Sequence, residues 1–123
     1  MPQTHAIRDG TICTIIIIGD LDLYEMRNFL YQAAIAIDDR TERLVLDLAE
    51  VTFLDCAGLR ALAIAASFMP AGRPVLLRSL SLPARRLFAL IGLDPADFRH
   101  PDLGPARVAA QADQAPAPIV PRP

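Results

Sequence analysis

Two short acidic segments are the parts of this sequence that could most readily bind an anion or a partner. Asp22 ends the segment 19–22 (Gly-Asp-Leu-Asp), and Asp55 begins the segment 55–58 (Asp-Cys-Ala-Gly). Each leads into a predicted helix, whose first turn offers free backbone N–H groups and a partial positive charge that suit an anion or phosphate. A plain helix cap also explains each aspartate, and such a cap stabilises a protein by about 1 kcal/mol.

The sequence lacks the patterns that usually bind nucleotides or metals. The chain contains no lysine, so it has no Walker-type loop, and it has no Gly-Xaa-Gly-Xaa-Xaa-Gly fingerprint. His5 and His100 lie near opposite ends of the predicted folded region, and Cys13 and Cys56 do not have the paired spacing of a metal site. We therefore predict neither a metal nor a cofactor.

Cys56 is the one side chain that could act as a nucleophile, because a helix N-terminus favours the thiolate. A thiol enzyme or a redox sensor that uses Cys56 therefore stays open as an alternative. Neither histidine lies in a segment that must approach Cys56, and cysteines usually behave as small hydrophobic residues. Cys13, inside an isoleucine-rich run, is predicted to be core. Arg60 is the lone charge on an otherwise apolar predicted helix, so we predict that it contacts a binding partner.

The elements that must position these side chains alternate between strands and helices. Residues 12–18 form a near-continuous apolar run, which predicts a strand buried on both faces. The Asp-Gly pair at 9–10 predicts a hairpin to an edge strand at 4–8. The other predicted elements are helices near 23–38, 59–69 and 81–91 and strands near 44–48 and 75–77. Strands separated by helices predict an α/β fold with a largely parallel sheet.

The first predicted helix carries both a start signal and an apolar stripe. Asp22 and Glu25, three residues apart, form an aspartate variant of the capping box. The apolar residues recur at three- and four-residue spacing, namely Leu23, Met26, Leu30, Ala33, Ala34 and Ile37. We expect this stripe to face the core.

Composition and charge narrow the class of protein. The 123 residues are 53% hydrophobic and 21% charged, which predicts a single folded domain. The net charge of -2 argues against direct DNA binding. The N-terminus lacks a signal-peptide core and no apolar stretch is long enough to span a membrane, so we expect a cytoplasmic protein. The predicted domain is residues 1–100, and the proline- and alanine-rich residues 101–123 predict a disordered tail.

Three segments, taken together and in order, resemble the STAS domain of anti-sigma-factor antagonists. The segment 19–22 resembles the family's Gly-Xaa-Leu-Asp turn. The segment 46–59 (Leu-Asp-Leu-Ala-Glu-Val-Thr-Phe-Leu-Asp-Cys-Ala-Gly-Leu) resembles its hallmark strand and loop, which usually ends Asp-Ser-Ser/Ala-Gly-Leu. The segment 84–93 (Ala-Arg-Arg-Leu-Phe-Ala-Leu-Ile-Gly-Leu) resembles its last helix.

The resemblance implies a binding module rather than an enzyme, built as a small mixed sheet of about four or five strands with packed helices. Its partner would be an anti-sigma factor of the ATP-binding serine-kinase type, which the antagonist captures so that the sigma factor is freed. The family's interface positions correspond here to Asp22, Asp55, Cys56, Ala57 and Gly58. The resemblance leaves the oligomeric state open.

One departure from the family pattern bears on regulation. The position that the family uses as a phosphorylated serine holds Cys56, and the next residue is Ala57, so neither carries a hydroxyl. The nearest hydroxyl is on Thr52, in the approaching strand. Three interpretations follow: a constitutive antagonist, a STAS module of another signalling or lipid-transport complex, or a module regulated through its thiol.

Overall fold

The computed structural model describes residues 3–96, which form a hairpin followed by alternating helices and strands. The elements are β1 (Gln3–Asp9), β2 (Ile12–Leu21), α1 (Met26–Ala36), β3 (Arg43–Leu54), α2 (Cys56–Ser67), β4 (Val75–Arg78) and α3 (Leu82–Ile91). The predicted domain boundary near residue 100 and the predicted tail lie outside the described residues.

The strands form one mixed sheet in the order β1-β2-β3-β4. β1 runs antiparallel to β2, whereas β2, β3 and β4 run parallel to one another. Asp9 pairs with Ile12, so the hairpin closes through Gly10 and Thr11, and Gly10 adopts a positive φ of 62° that suits glycine. The predicted α/β fold with a small mixed sheet is therefore confirmed.

All three helices pack on one face of this sheet. On β2 the residues that face them are Cys13, Ile15 and Ile17, and their β3 partners include Leu44 and Leu46. Helix α2 is buried along most of its surface, since its alanines allow a close approach to the strands. One continuous core therefore joins the three helices to the sheet.

The opposite face of the sheet is not covered by any helix within residues 3–96. We call it the open face, and its apolar and threonine side chains are Ile7, Ile12, Thr14, Ile16, Ile18, Val45 and Leu76. Ile12, Ile16 and Ile18 are only half-buried, so the prediction that the run 12–18 is buried on both faces is wrong. A continuous apolar run indicates two-sided burial only where helices cover both faces.

Helix α1 begins later than its sequence pattern predicts. The Asp22 carboxylate accepts hydrogen bonds from the backbone N–H groups of Tyr24 and Glu25, both at 3.0 Å. The Glu25 side chain makes no cap bond, so only half of the predicted capping box forms. Residues 23–25 are a turn, and Leu23 is 62% exposed instead of facing the core. Ala34, also assigned to the apolar stripe, is exposed as well.

The other two helices follow clear start and stop signals. Asp55 caps α2 by accepting a hydrogen bond from the Gly58 N–H at 2.8 Å, and the helix starts at Cys56, three residues before the predicted start. Ser81 caps α3, and Gly92 ends it in the left-handed conformation that glycine favours.

Two leucine truncations test this division between core and surface. Leu46 is fully buried, so Leu46→Ala should lower the free energy of unfolding by about 2–5 kcal/mol through lost burial and a cavity. Leu90 on α3 is 77% exposed, and the same change there should cost less than about 0.5 kcal/mol. Urea unfolding of both variants measures the difference. Equal losses would contradict the described core.

Candidate partner-binding site

The two acidic segments meet at the carboxyl end of the sheet. Leu21 of β2 pairs with Leu54 of β3 in a parallel ladder. Asp22 and Asp55 therefore each follow the last residue of neighbouring strands, where α/β proteins place ligands and partners. The structure thus brings together the two segments that the sequence marks as candidates.

Gly58 holds helix α2 against the end of β2. A Cβ atom at this position would overlap the backbone oxygen of Leu21 and lie 2.8 Å from Cδ1 of Leu54. Only glycine allows the helix to approach this closely. Gly58 is buried, so it can contribute to a partner surface only by positioning its neighbours.

Side-chain hydrogen bonds fix the first segment. The Thr52 hydroxyl donates to the Asp20 carboxylate at 2.8 Å and so ties the end of β2 to β3. Asp22 holds the turn that leads into α1, through the two backbone N–H groups already described. Both capping aspartates therefore have a structural role, and each is partly exposed beside the other segment.

The exposed strip of α2 begins at the same edge. Cys56 and Arg60 lie one helical turn apart and are both exposed, and Ala57 is partly exposed beside them. Arg60 makes no ion pair among residues 3–96. Because most of α2 is buried, this strip is the part of the helix that a partner could contact.

Large apolar side chains surround the acidic segments, and the sequence reasoning did not assign them to the site. Tyr24 is 87% exposed and the adjacent Leu23 is 62% exposed, and Phe53, near the end of β3, is 48% exposed. Exposed aromatic and aliphatic residues that cluster at one place are typical of protein interfaces. The sequence signal that could have revealed Phe53 was strand alternation, because a strand residue that precedes the buried Leu54 faces away from the core.

The two cysteines lie in different environments. Cys56 is exposed and Cys13 is buried in the core, where desolvation raises the pKa of the Cys13 thiol. His5 lies on β1 and its Nε2 atom is 2.9 Å from Oε1 of Gln3. Within residues 3–96, no group of three or more His, Cys, Asp or Glu side chains could hold a metal ion.

A family comparison decides what kind of domain this is. Residues 6–100 match the family model described as "Mlab, STAS domain". The chain belongs to the STAS domain family. The resemblance drawn from the three sequence segments is therefore confirmed for the family. No curated protein matches the chain.

Two solved structures resemble this STAS domain. An anti-sigma factor antagonist from Mycobacterium paratuberculosis is 23% identical with a TM-score of 0.58, over 70% of this chain and 73% of that one. The unphosphorylated form of the anti-sigma factor antagonist SpoIIAA is 18% identical with a TM-score of 0.63, over 78% of this chain and 84% of that one. At these identities the likeness establishes the fold.

The described part of the STAS domain offers no transmembrane helix. Each of its three helices is too short to cross a bilayer, and none of them meets the required length and hydropathy.

The close approach of α2 to β2 at Gly58 can be tested by substitution. Gly58→Ala forces a methyl group onto the Leu21 backbone, so we expect a loss of about 1–3 kcal/mol in the free energy of unfolding. Cys56→Ala changes an exposed residue in the same helical turn and should cost less than about 0.5 kcal/mol. Thermal unfolding followed by circular dichroism compares the two. Unchanged stability of Gly58→Ala would refute the close approach.

Proposed function

We propose that this STAS domain is a non-catalytic interaction module, an anti-sigma-factor antagonist that binds an anti-sigma factor of the ATP-binding serine-kinase type. Binding would release the sigma factor that the kinase holds, and the protein would act in the cytoplasm. The observation that carries the proposal is the edge where the turns at Asp22 and Asp55 lie side by side among exposed apolar residues. STAS domains of the antagonist type are binding modules, which supports a role without catalysis.

A few side chains form the proposed interface, and they have different roles. Asp22, Asp55, Cys56 and Ala57 line the edge, and Gly58 sets the distance between α2 and β2. Tyr24 and Phe53 would supply the apolar contacts that dominate most interfaces. Arg60, which has no partner of opposite charge within residues 3–96, would meet an acidic group of the kinase.

The antagonist would work without the usual phosphorylation switch. Cys56 occupies the acceptor position, and neither it nor Ala57 carries a hydroxyl. The hydroxyl of Thr52 lies in strand β3 and already donates to Asp20. The proposed antagonist would therefore be constitutive. Both structural neighbours are described as anti-sigma factor antagonists, which supports the general role.

A second candidate is a STAS module of another signalling or lipid-transport complex. Two observations favour it: the description of the matching family is "Mlab, STAS domain" and does not mention sigma factors, and the chain lacks the phosphorylated serine of the switch. Affinity capture from the native cell, with mass spectrometry of the bound proteins, separates the two. An anti-sigma kinase supports the first candidate, and a transport or unrelated signalling subunit supports the second.

A thiol-regulated module is the third candidate, and it depends on the exposure of Cys56 alone. The alkylation rate of Cys56 as a function of pH tests it. Reactivity at neutral pH well above that of an ordinary thiol would favour this candidate.

Variants of Cys56 test the proposed interface. With the captured kinase and ATP, the natural protein should gain no phosphate at this segment, whereas Cys56→Ser should bind equally well and become phosphorylated. Cys56→Asp should fold normally but bind at least about tenfold more weakly, because the interface would desolvate its charge without a partner. Isothermal titration of the three proteins measures this. Equal affinities would exclude Cys56 from the interface.

Arg60 is tested with a matched charge reversal. Arg60→Glu should weaken capture of the kinase by about tenfold or more, since a rim charge that complements the partner becomes repulsive. Arg85→Glu makes the same change on the exposed side of α3 and should leave affinity unchanged. Circular dichroism should show both variants folded. An unfolded Arg60→Glu protein, or one that binds normally, would remove Arg60 from the interface.

A further inference from the structure

The open face has an apolar centre and a polar rim. Its middle row, formed by paired residues, is Ile7, Thr14, Val45 and Leu76. Val45 is only 6% exposed although it lies outside the helix-side core, because its neighbours in the row flank it. Charged and polar residues lie towards its edges, namely His5, Asp9, Arg43, Glu50 and Arg78, whereas Asp47 lies inside the face, paired with Ile16. An apolar centre with a polar rim is the usual layout of a protein interface.

Two charges of opposite sign lie at opposite ends of this face on the same strand. Arg43 pairs with Ile12, and Glu50 pairs with Ile18, so both side chains share the face of these isoleucines. Neither makes an ion pair among residues 3–96. The two ends are marked on β2 by Ile12 and Ile18, which lie six residues apart, a distance of about 20 Å along the strand.

A groove lies at each end of the face beside these charges. The groove at the Glu50 end has a volume of about 550 Å³ and is also lined by Gly19, Asp20 and Thr52. The groove at the Arg43 end has a volume of about 370 Å³ and is also lined by Ile12 and Glu42. Each end therefore offers room for a side chain that projects from a facing surface.

We propose that the open face binds the open face of a second copy of this chain, with the strands of the two sheets antiparallel. A twofold axis across the middle of β3 would set Arg43 of each copy opposite Glu50 of the other, because the two residues lie on one strand. A twofold interface requires this reciprocity. Asp47 lies close to the axis, and Arg78, at 2.9 Å, already neutralises its charge.

The size of the face predicts a weak dimer. Three strands about 20 Å long and the four-residue β4, about 13 Å long, are spaced by about 4.8 Å and give a flat area of about 350 Å² for each copy. Two copies would cover about 700 Å², and projecting side chains add accessible surface to this flat value. The contact is thus smaller than the roughly 1,000 Å² of most specific interfaces, so the dimer should be weak. The inference does not depend on the proposed function, although the groove at the Glu50 end shares Asp20 and Thr52 with the edge.

Light scattering on the full chain, from about 1 to about 200 µM, tests the proposal. The mass should rise from 13.4 kDa towards twice that value. Arg43→Glu and Glu50→Arg should each raise the dimer dissociation constant by about tenfold, and the double variant should restore it. Ile16→Asp should abolish the dimer, whereas Arg85→Glu, on the helix side, should leave it unchanged.

The double variant keeps the test independent of folding, because a restored dimer requires two folded copies. Circular dichroism of every variant provides the further control. A full chain that stays monomeric over the whole range overturns the proposal and leaves the face to residues 97–123 or to another protein. A dimer that withstands Ile16→Asp and both single charge reversals also overturns it, because the copies would then meet elsewhere.

Discussion

The contact between helix α2 and the end of strand β2 controls the geometry of the candidate site. Gly58 lets the helix approach Leu21 so closely that any side chain would overlap the backbone there. The pairing of Leu21 with Leu54 places Asp55 beside Asp22, and the Gly58 contact holds the start of α2 against the same strand end. The strip of α2 that carries Cys56 therefore lies next to the two capped turns.

The one-sided packing of the helices divides the domain into separate surfaces. The helices and one face of the sheet form the core, so the carboxyl edge of the strands and the open face both stay accessible within residues 3–96. The edge carries the capped turns with exposed aromatic residues, and the open face carries half-buried isoleucines between charges. The two proposed contacts use different main surfaces, which meet at Asp20 and Thr52 in the groove at the Glu50 end of the open face.

The chemistry at position 56 decides how the edge could be regulated. A thiol is close in size to a hydroxyl, so Cys56 can occupy the start of α2 without disturbing the cap from Asp55. A serine kinase cannot transfer phosphate to it as it would to serine. The STAS fold and a cysteine at this position therefore occur together in this chain.

The sequence by itself determined the order of the elements, the caps from Asp22 and Asp55 and the STAS family, because these depend on local periodicity, short capping signals and an ordered set of motifs. It placed both aspartates after predicted strands, but the strand pairing that sets Asp22 beside Asp55 came from the tertiary structure. Only the tertiary structure decided which surfaces stay uncovered. The isoleucines of β2, Leu23, Tyr24 and Phe53 are apolar in sequence whether they are covered or exposed. Their exposure depends on the side of the sheet that each helix takes, and no local pattern encodes that choice.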